Sequence, residues 1–186
     1  DVVWVGTGEG NPRNSVTGGY GLYRSLDAGK SWQLMGLEKT RNIHRIIVDK
    51  HNSNIVYVGA IGSSWGEHPE RGVYKTTDGG ASWTNLSSSI LNNESIEALV
   101  HIAGTDGGIY VATNKAVYYR NNTQNFTLEN TGLPTFTNGN ILRPFYRDQK
   151  IRLATYGKGI YESNLVENPS TVQARITVDK LSQTVV

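Results

Sequence analysis

The chain has 186 residues, of which 37% are hydrophobic and 18% charged, with 21 glycines, ten tyrosines and a net charge of +2. Low charge with abundant Gly and Tyr suits a turn-rich all-β protein, and the small net charge argues against nucleic acid or an anionic membrane as a partner. No cysteine is present, which excludes a disulfide framework and a thiolate metal site, and no apolar run reaches the ~18 residues of a membrane-spanning helix.

In chain order, the first element is an apolar strand, Val2–Gly6 (VVWVG), which opens directly after Asp1 as a mature or trimmed fragment would. The same strand returns as Ile55–Gly59, Ile109–Ala112 and Ile151–Ala154. Trp4 and Tyr57 are 53 residues apart, Tyr57 and Tyr110 again 53, and Tyr110 and Leu153 are 43 apart. Periods of ~40–50 residues, each holding several short strands, predict units that must stack to bury both faces of each sheet.

After the first strand comes a Gly-rich loop, Thr7–Tyr20, and then Gly-Leu-Tyr-Arg leading into Ser25-Leu-Asp27-Ala-Gly29-Lys-Ser-Trp32. Fifty-one residues on, Gly-Val-Tyr-Lys leads into Thr76-Thr-Asp78-Gly-Gly80-Ala-Ser-Trp83. Alternating runs on either side of a turn with Asp and Gly read as a β-hairpin. The aspartate accepts backbone N–H groups, the glycine supplies positive φ, the hydroxyl adds a local bond and the tryptophan covers the hairpin. Each fixed residue thus has a structural job, and Asp27 and Asp78 read as turn-formers. A decayed third copy has Asn122 in place of the aspartate and Phe126 in place of the tryptophan, and the last unit, Asn140–Ser163, has only the tight turn Tyr156–Gly159.

Ser25, Asp27, Gly29, Trp32 and Thr76, Asp78, Gly80, Trp83 resemble the Asp-box, or BNR, repeat of β-propellers in sialidases, some endoglucanases and sortilin-type receptors. The string Val3–Ser15 is similar to secreted bacterial BNR-repeat glycosyl hydrolases of sortilin-like type. The resemblance covers roughly residues 1–165. It implies an all-β propeller of four-stranded antiparallel blades, with about four blades present as part of a larger ring. It also implies a secreted or cell-surface bacterial protein, with further blades or domains of the same parent as neighbours.

The first unit lacks its leading strand, so the count is about three and three-quarter blades, which is either a compact four-bladed ring or, as favoured here, a piece of a larger one. After Asn164, residues 166–170 read as a linker and Thr171–Asp179 as an alternating strand, which either closes a blade or opens an appended immunoglobulin-like domain.

Strand alternation puts the box turns on one face and the strand two–three loops, with the links between blades, on the other. On that second face the sequence offers Glu9, Asn11 and Arg13 in the first loop, Arg41 and His44 in the first link, and Trp65, Glu67, His68 and Glu70 in the second loop. Carboxylates, guanidinium groups, an imidazole and an aromatic platform suit a sugar. The favoured reading is therefore a module binding a glycan or protein partner through its loop face. Two alternatives stand beside it: a glycoside hydrolase with Glu9 and Glu67 as the carboxylate pair, and a scaffold subunit of a surface assembly. Whether the chain is an enzyme stays open, because Arg13, Arg41 and Arg71 lack the context of the sialidase arginine triad. No cofactor and no metal site is expected.

Overall fold

The computed structural model describes residues 1–10, 16–91 and 94–170. They form four antiparallel sheets in chain order. The first holds β1 (Val3–Gly6), β2 (Leu22–Ser25) and β3 (Gln33–Leu34). The second holds β4 (Ile43–Val48), β5 (Val56–Ala60), β6 (Gly72–Thr76) and β7 (Thr84–Asn85). The third holds β8 (Ile96–His101), β9 (Ile109–Thr113), β10 (Val117–Arg120) and β11 (Thr127–Leu128). The fourth holds β12 (Gly139–Phe145), β13 (Lys150–Thr155) and β14 (Ile160–Asn164). Among the described residues the first sheet lacks its leading strand, as the sequence predicts, and the fourth sheet has three strands.

The box turns close by local chemistry. Ser25 Oγ donates to Asp27 Oδ1 at 2.7 Å and accepts from the Gly29 N–H at 2.8 Å. The Ser31 N–H and hydroxyl then donate to the two carboxylate oxygens of Asp27 at 2.9 and 2.7 Å. Thr76, Asp78, Gly80 and Ser82 repeat the arrangement bond for bond. Gly29 and Gly80 stand at φ +91° and +93°, where a side chain is strained.

Successive sheets bury their faces against each other, because a lone sheet exposes two apolar surfaces. Val56, Val58 and Tyr74 of the second sheet pack with Leu22 and Trp4 of the first. Ile109, Val111, Tyr118 and Phe126 of the third repeat this against Tyr57 and Val73 of the second. Ile151 and Leu153 of the fourth repeat it against Tyr110 and Val117 of the third. Each sheet therefore has one side for its predecessor and one for its successor.

The box tryptophan departs from the hairpin-covering role expected of it. The Trp83 Nε1–H reaches the preceding sheet and donates to the Met35 carbonyl at 2.7 Å, while its ring meets Trp4 edge-on. That carbonyl lies just beyond the two-residue β3, and an indole N–H under an apolar roof seeks such an acceptor.

A second tie recurs between sheets. Arg24, stacked over Trp4, donates to the Gly79 carbonyl in the next box turn at 2.5 Å. Lys75, over Tyr57, donates to Asn122 Oδ1 at 3.2 Å. At the equivalent position of the third sheet Tyr119, against Tyr110, donates instead to Glu167 Oε2 at 2.9 Å, in the segment that follows β14. The segment that the sequence reads as a linker is held here as well: Glu167 accepts from the Asp106 N–H at 2.7 Å, and the Ser170 N–H donates to the Gly104 carbonyl at 2.8 Å. Thr171–Asp179 lies outside the described residues.

Candidate functional site: the loop face

The face away from the box turns is built from the strand two–three loops and the links between sheets. The described residues of loop A, 7–10 and 16–21, lie over the first link. The Gly19 N–H donates to the Arg41 carbonyl at 2.8 Å, and Gly10 lies against the imidazole of His44, where a Cβ would collide with Nδ1. Loop B, residues 61–71, starts from the same link through the Ile61 N–H and the Asn42 carbonyl at 3.0 Å. Glycine at these contacts lets two backbones approach closely, which is why a Gly-rich loop serves here.

Loop B is braced from inside by Arg71. Its guanidinium donates to the carbonyls of Ile61 and Ser63 at 2.6 Å each and of Gly66 at 2.9 Å. Burial lowers its pKa, with the Glu97 and Glu67 carboxylates opposing. A planar fork of donors satisfies several carbonyls at once, so one side chain fixes the loop's shape. Trp65 stands outward on this braced loop, 72% exposed, with its backbone N–H donating to Ser63 Oγ at 3.2 Å. Beside it a cleft opens between the second and third sheets, lined by Ile61, Ser63, Ser64, Arg71, Glu97 and Asn114.

The candidates from the sequence are distributed as follows. Glu9 is half-buried, and its Oε2 accepts the Thr17 N–H at 2.9 Å, so it also ties loop A together. Arg41 is exposed, with the positive φ of 60° at the end of the link. His44 is half-buried, and burial, aided by the Arg45 charge, lowers its pKa to about 4, so it is neutral at pH 7. Glu67 is exposed and Glu70 is half-buried, with the Tyr74 hydroxyl donating to the Glu70 carbonyl at 2.9 Å. His68 packs beside Gly62 with its Nδ1 buried and unpartnered, rather than standing in solvent; burial and the charge of Arg41 lower its pKa. Asn11 and Arg13 lie outside the described residues. The structure thus gathers Glu9, Arg41, His44 and loop B around one link.

Three aromatic residues on this face escaped the sequence reading. Tyr20, Phe136 and Tyr156 are 76%, 72% and 77% exposed. Phe136 sits in the link to the fourth sheet at φ +54°, a conformation that a bulky side chain rarely adopts. Lys158 holds that link through the carbonyls of Thr135 and Phe136 at 2.7 and 3.2 Å, and the Tyr156 N–H donates to the Asn138 carbonyl at 3.0 Å. The available signal was an aromatic residue next to glycine, as in Gly19-Tyr20-Gly21 and Tyr156-Gly157, whereas Phe136 lies between two threonines and carries no such signal. Among the described residues, no group of three or more His, Cys, Asp or Glu side chains could hold a metal ion, and no helix is long and apolar enough to cross a membrane.

No family model and no curated protein sequence matches the chain. Solved structures do. An ancestral GH74 enzyme superposes with a TM-score of 0.62 at 21% identity, over 88% of this chain and 22% of its own. The GH74 xyloglucanase from Xanthomonas campestris gives 0.62 at 14% identity, over 87% and 26%. YCF48 bound to D1 peptide gives 0.52 at 14% identity, over 77% and 43%. The chain therefore spans less than half the length of these structures. They are β-propeller proteins, and the likeness extends to the fold. The four sheets are blades of a β-propeller.

Proposed function

We propose that the chain is a binding module that grips a sugar chain on its loop face, within a secreted or cell-surface protein that carries further blades. The carrying observation is the distribution of aromatic side chains. Among the described residues, the four aromatic side chains more than 70% exposed, Tyr20, Trp65, Phe136 and Tyr156, all belong to the loops and links of that one face. Exposing such rings forgoes burial worth ~1.5–3 kcal/mol each, and flat aromatic faces match the C–H faces of sugars. The carboxylates of Glu67 and Glu70 within loop B, and the exposed Arg41 of the link from which that loop starts, would serve sugar hydroxyls through charge-assisted hydrogen bonds.

The test is affinity electrophoresis of the chain through gels containing xyloglucan, other β-glucans, pectin or chitin derivatives. Retardation by one glycan that Trp65→Ala and Tyr156→Ala relieve supports the reading. Equal mobility in every gel overturns it. Release of reducing ends that stops in Glu9→Gln would move the chain to the hydrolases.

A further inference from the structure

The leading strands of the second, third and fourth sheets are interrupted at one and the same place. β4 pairs with β5 through Ile43 and Arg45 and skips His44. β8 pairs with β9 through Ile96 and Ala98 and skips Glu97, and β12 pairs with β13 through Gly139 and Ile141 and skips Asn140. A bulge of this kind frees one residue from the ladder and re-aims its side chain. His44 lies against Gly10 of loop A, Glu97 lines the cleft beside loop B, and Asn140 is exposed.

Glu97 stands apart from the other two. It is half-buried, yet its carboxylate accepts no hydrogen bond from any described residue. Glu9, Glu94 and Glu167, which are half-buried or buried, each accept at least one. An acceptor withdrawn from water without a donor is costly, so a ligand that supplies donors gains by entering.

The neighbours decide which donors fit. The Glu97 charge acts on both Arg45 and Arg71. Those guanidinium groups donate elsewhere, Arg71 to the carbonyls of Ile61, Ser63 and Gly66 and Arg45 to those of His44 and Asn140. The Glu67 carboxylate also acts on Arg71, so two cations balance two anions. A cationic ligand meets the guanidinium groups and an anionic one the carboxylates, which disfavours both. A neutral ligand with two adjacent hydroxyls can donate to both oxygens of Glu97 while its C–H face lies on Trp65. Asn114, across the cleft, accepts the Ser95 N–H on Oδ1 at 3.1 Å, which leaves its amide N–H groups for a sugar oxygen.

We propose that Glu97 anchors the glycan site of the loop face and selects a neutral sugar, taking a vicinal diol in the cleft beside Trp65. This rests on the glycan-binding reading and narrows it to one acceptor and one class of chain.

Affinity electrophoresis tests it, with graded xyloglucan and mixed-linkage β-glucan as neutral probes and polygalacturonate as the acidic one. Retardation by a neutral glycan is expected. Glu97→Gln, which keeps the shape and removes the charge, should weaken it at least about tenfold at an unchanged melting temperature. Glu162→Gln, at a carboxylate held by Arg152 on β14, should leave it as in the parent. Neutral-glycan retardation that survives Glu97→Gln overturns the anchor and leaves the glycan-binding reading standing. Retardation by polygalacturonate alone overturns the anchor too, and equal mobility in every gel removes both readings together. A collapse of the melting temperature in both Glu97→Gln and Glu97→Asp would make Glu97 a residue of the fold and overturn the anchor equally.

Discussion

The indole of Trp83 and the carbonyl of Met35 meet at 2.7 Å across the boundary between the first and second blades. No described sheet precedes the first, and the equivalent Trp32 stands 44% exposed. The same motif residue thus fastens two sheets in one copy and is exposed in the other. Trp83→Phe removes one buried N–H bond and part of the apolar surface packed at the boundary, so it should cost about 1–3 kcal/mol. Trp32→Phe should stay within about 0.5 kcal/mol. Urea denaturation of the two variants at low protein concentration measures the difference.

The two box glycines offer a second contrast. Both have positive φ, so alanine at either is strained by about 1 kcal/mol. At Gly29 the added Cβ would meet only Trp32 at 3.6 Å, but at Gly80 it would stand 2.9 Å from Trp4 Cη2 and 3.0 Å from Met35 Cε. Gly80→Ala should therefore cost roughly 1–3 kcal/mol more than Gly29→Ala, because it overpacks the boundary between blades. Equal denaturation midpoints would contradict this.

The carboxyls of Asp27 and Asp78 are both held below the usual carboxylate range, Asp27 at about 2, chiefly by bonds from Ser31 and Ser82. A depressed folded-state pKa contributes stability above the unfolded value near 4 and loses it as the pH falls toward 2. Asp78→Asn should lower the melting temperature at pH 7, flatten its fall below pH 4, and leave glycan retardation unchanged, since the box turns lie on the opposite face. Loss of retardation in a folded Asp78→Asn would place the aspartate in the binding site.

Histidines govern a higher pH window. Burial lowers the pKa of His44, His68 and His101, with His44 at about 4. Below the unfolded value near 6.5 the unfolded chain takes up protons that these side chains refuse, so stability falls as the pH drops from about 6.5 toward 4. The decline precedes carboxylate protonation. Thermal melts from pH 7.5 to 4 should show it, and His44→Gln should reduce its slope.

On the loop face, Trp65→Ala should weaken glycan binding at least about tenfold and leave the melting temperature unchanged. A large loss of stability would instead mean that the ring is packing for loop B.

Local chemistry explains how much could be read from the sequence. The boxes are legible because Ser25, Asp27, Gly29 and Ser31 satisfy one another within a few residues. The blade spacing is legible because each apolar strand repeats a neighbour's. The ties between blades are not, since Trp83 and Met35 are 48 residues apart in the chain and neither residue type announces the other. Nor could residue type alone show Arg71 bracing loop B or Phe136 held outward, because both depend on which carbonyls the folded links present.

The Arg24 and Lys75 ties both run from an earlier blade to the box turn of the next, and the donor changes from guanidinium to ammonium without reversing that sense. A unit copied and reinserted by gene duplication would therefore find a compatible neighbour on each side without inventing a contact. Propellers of different size can descend from one ancestral unit by such recombination, with individual side chains free to drift so long as the polarity of the joint survives.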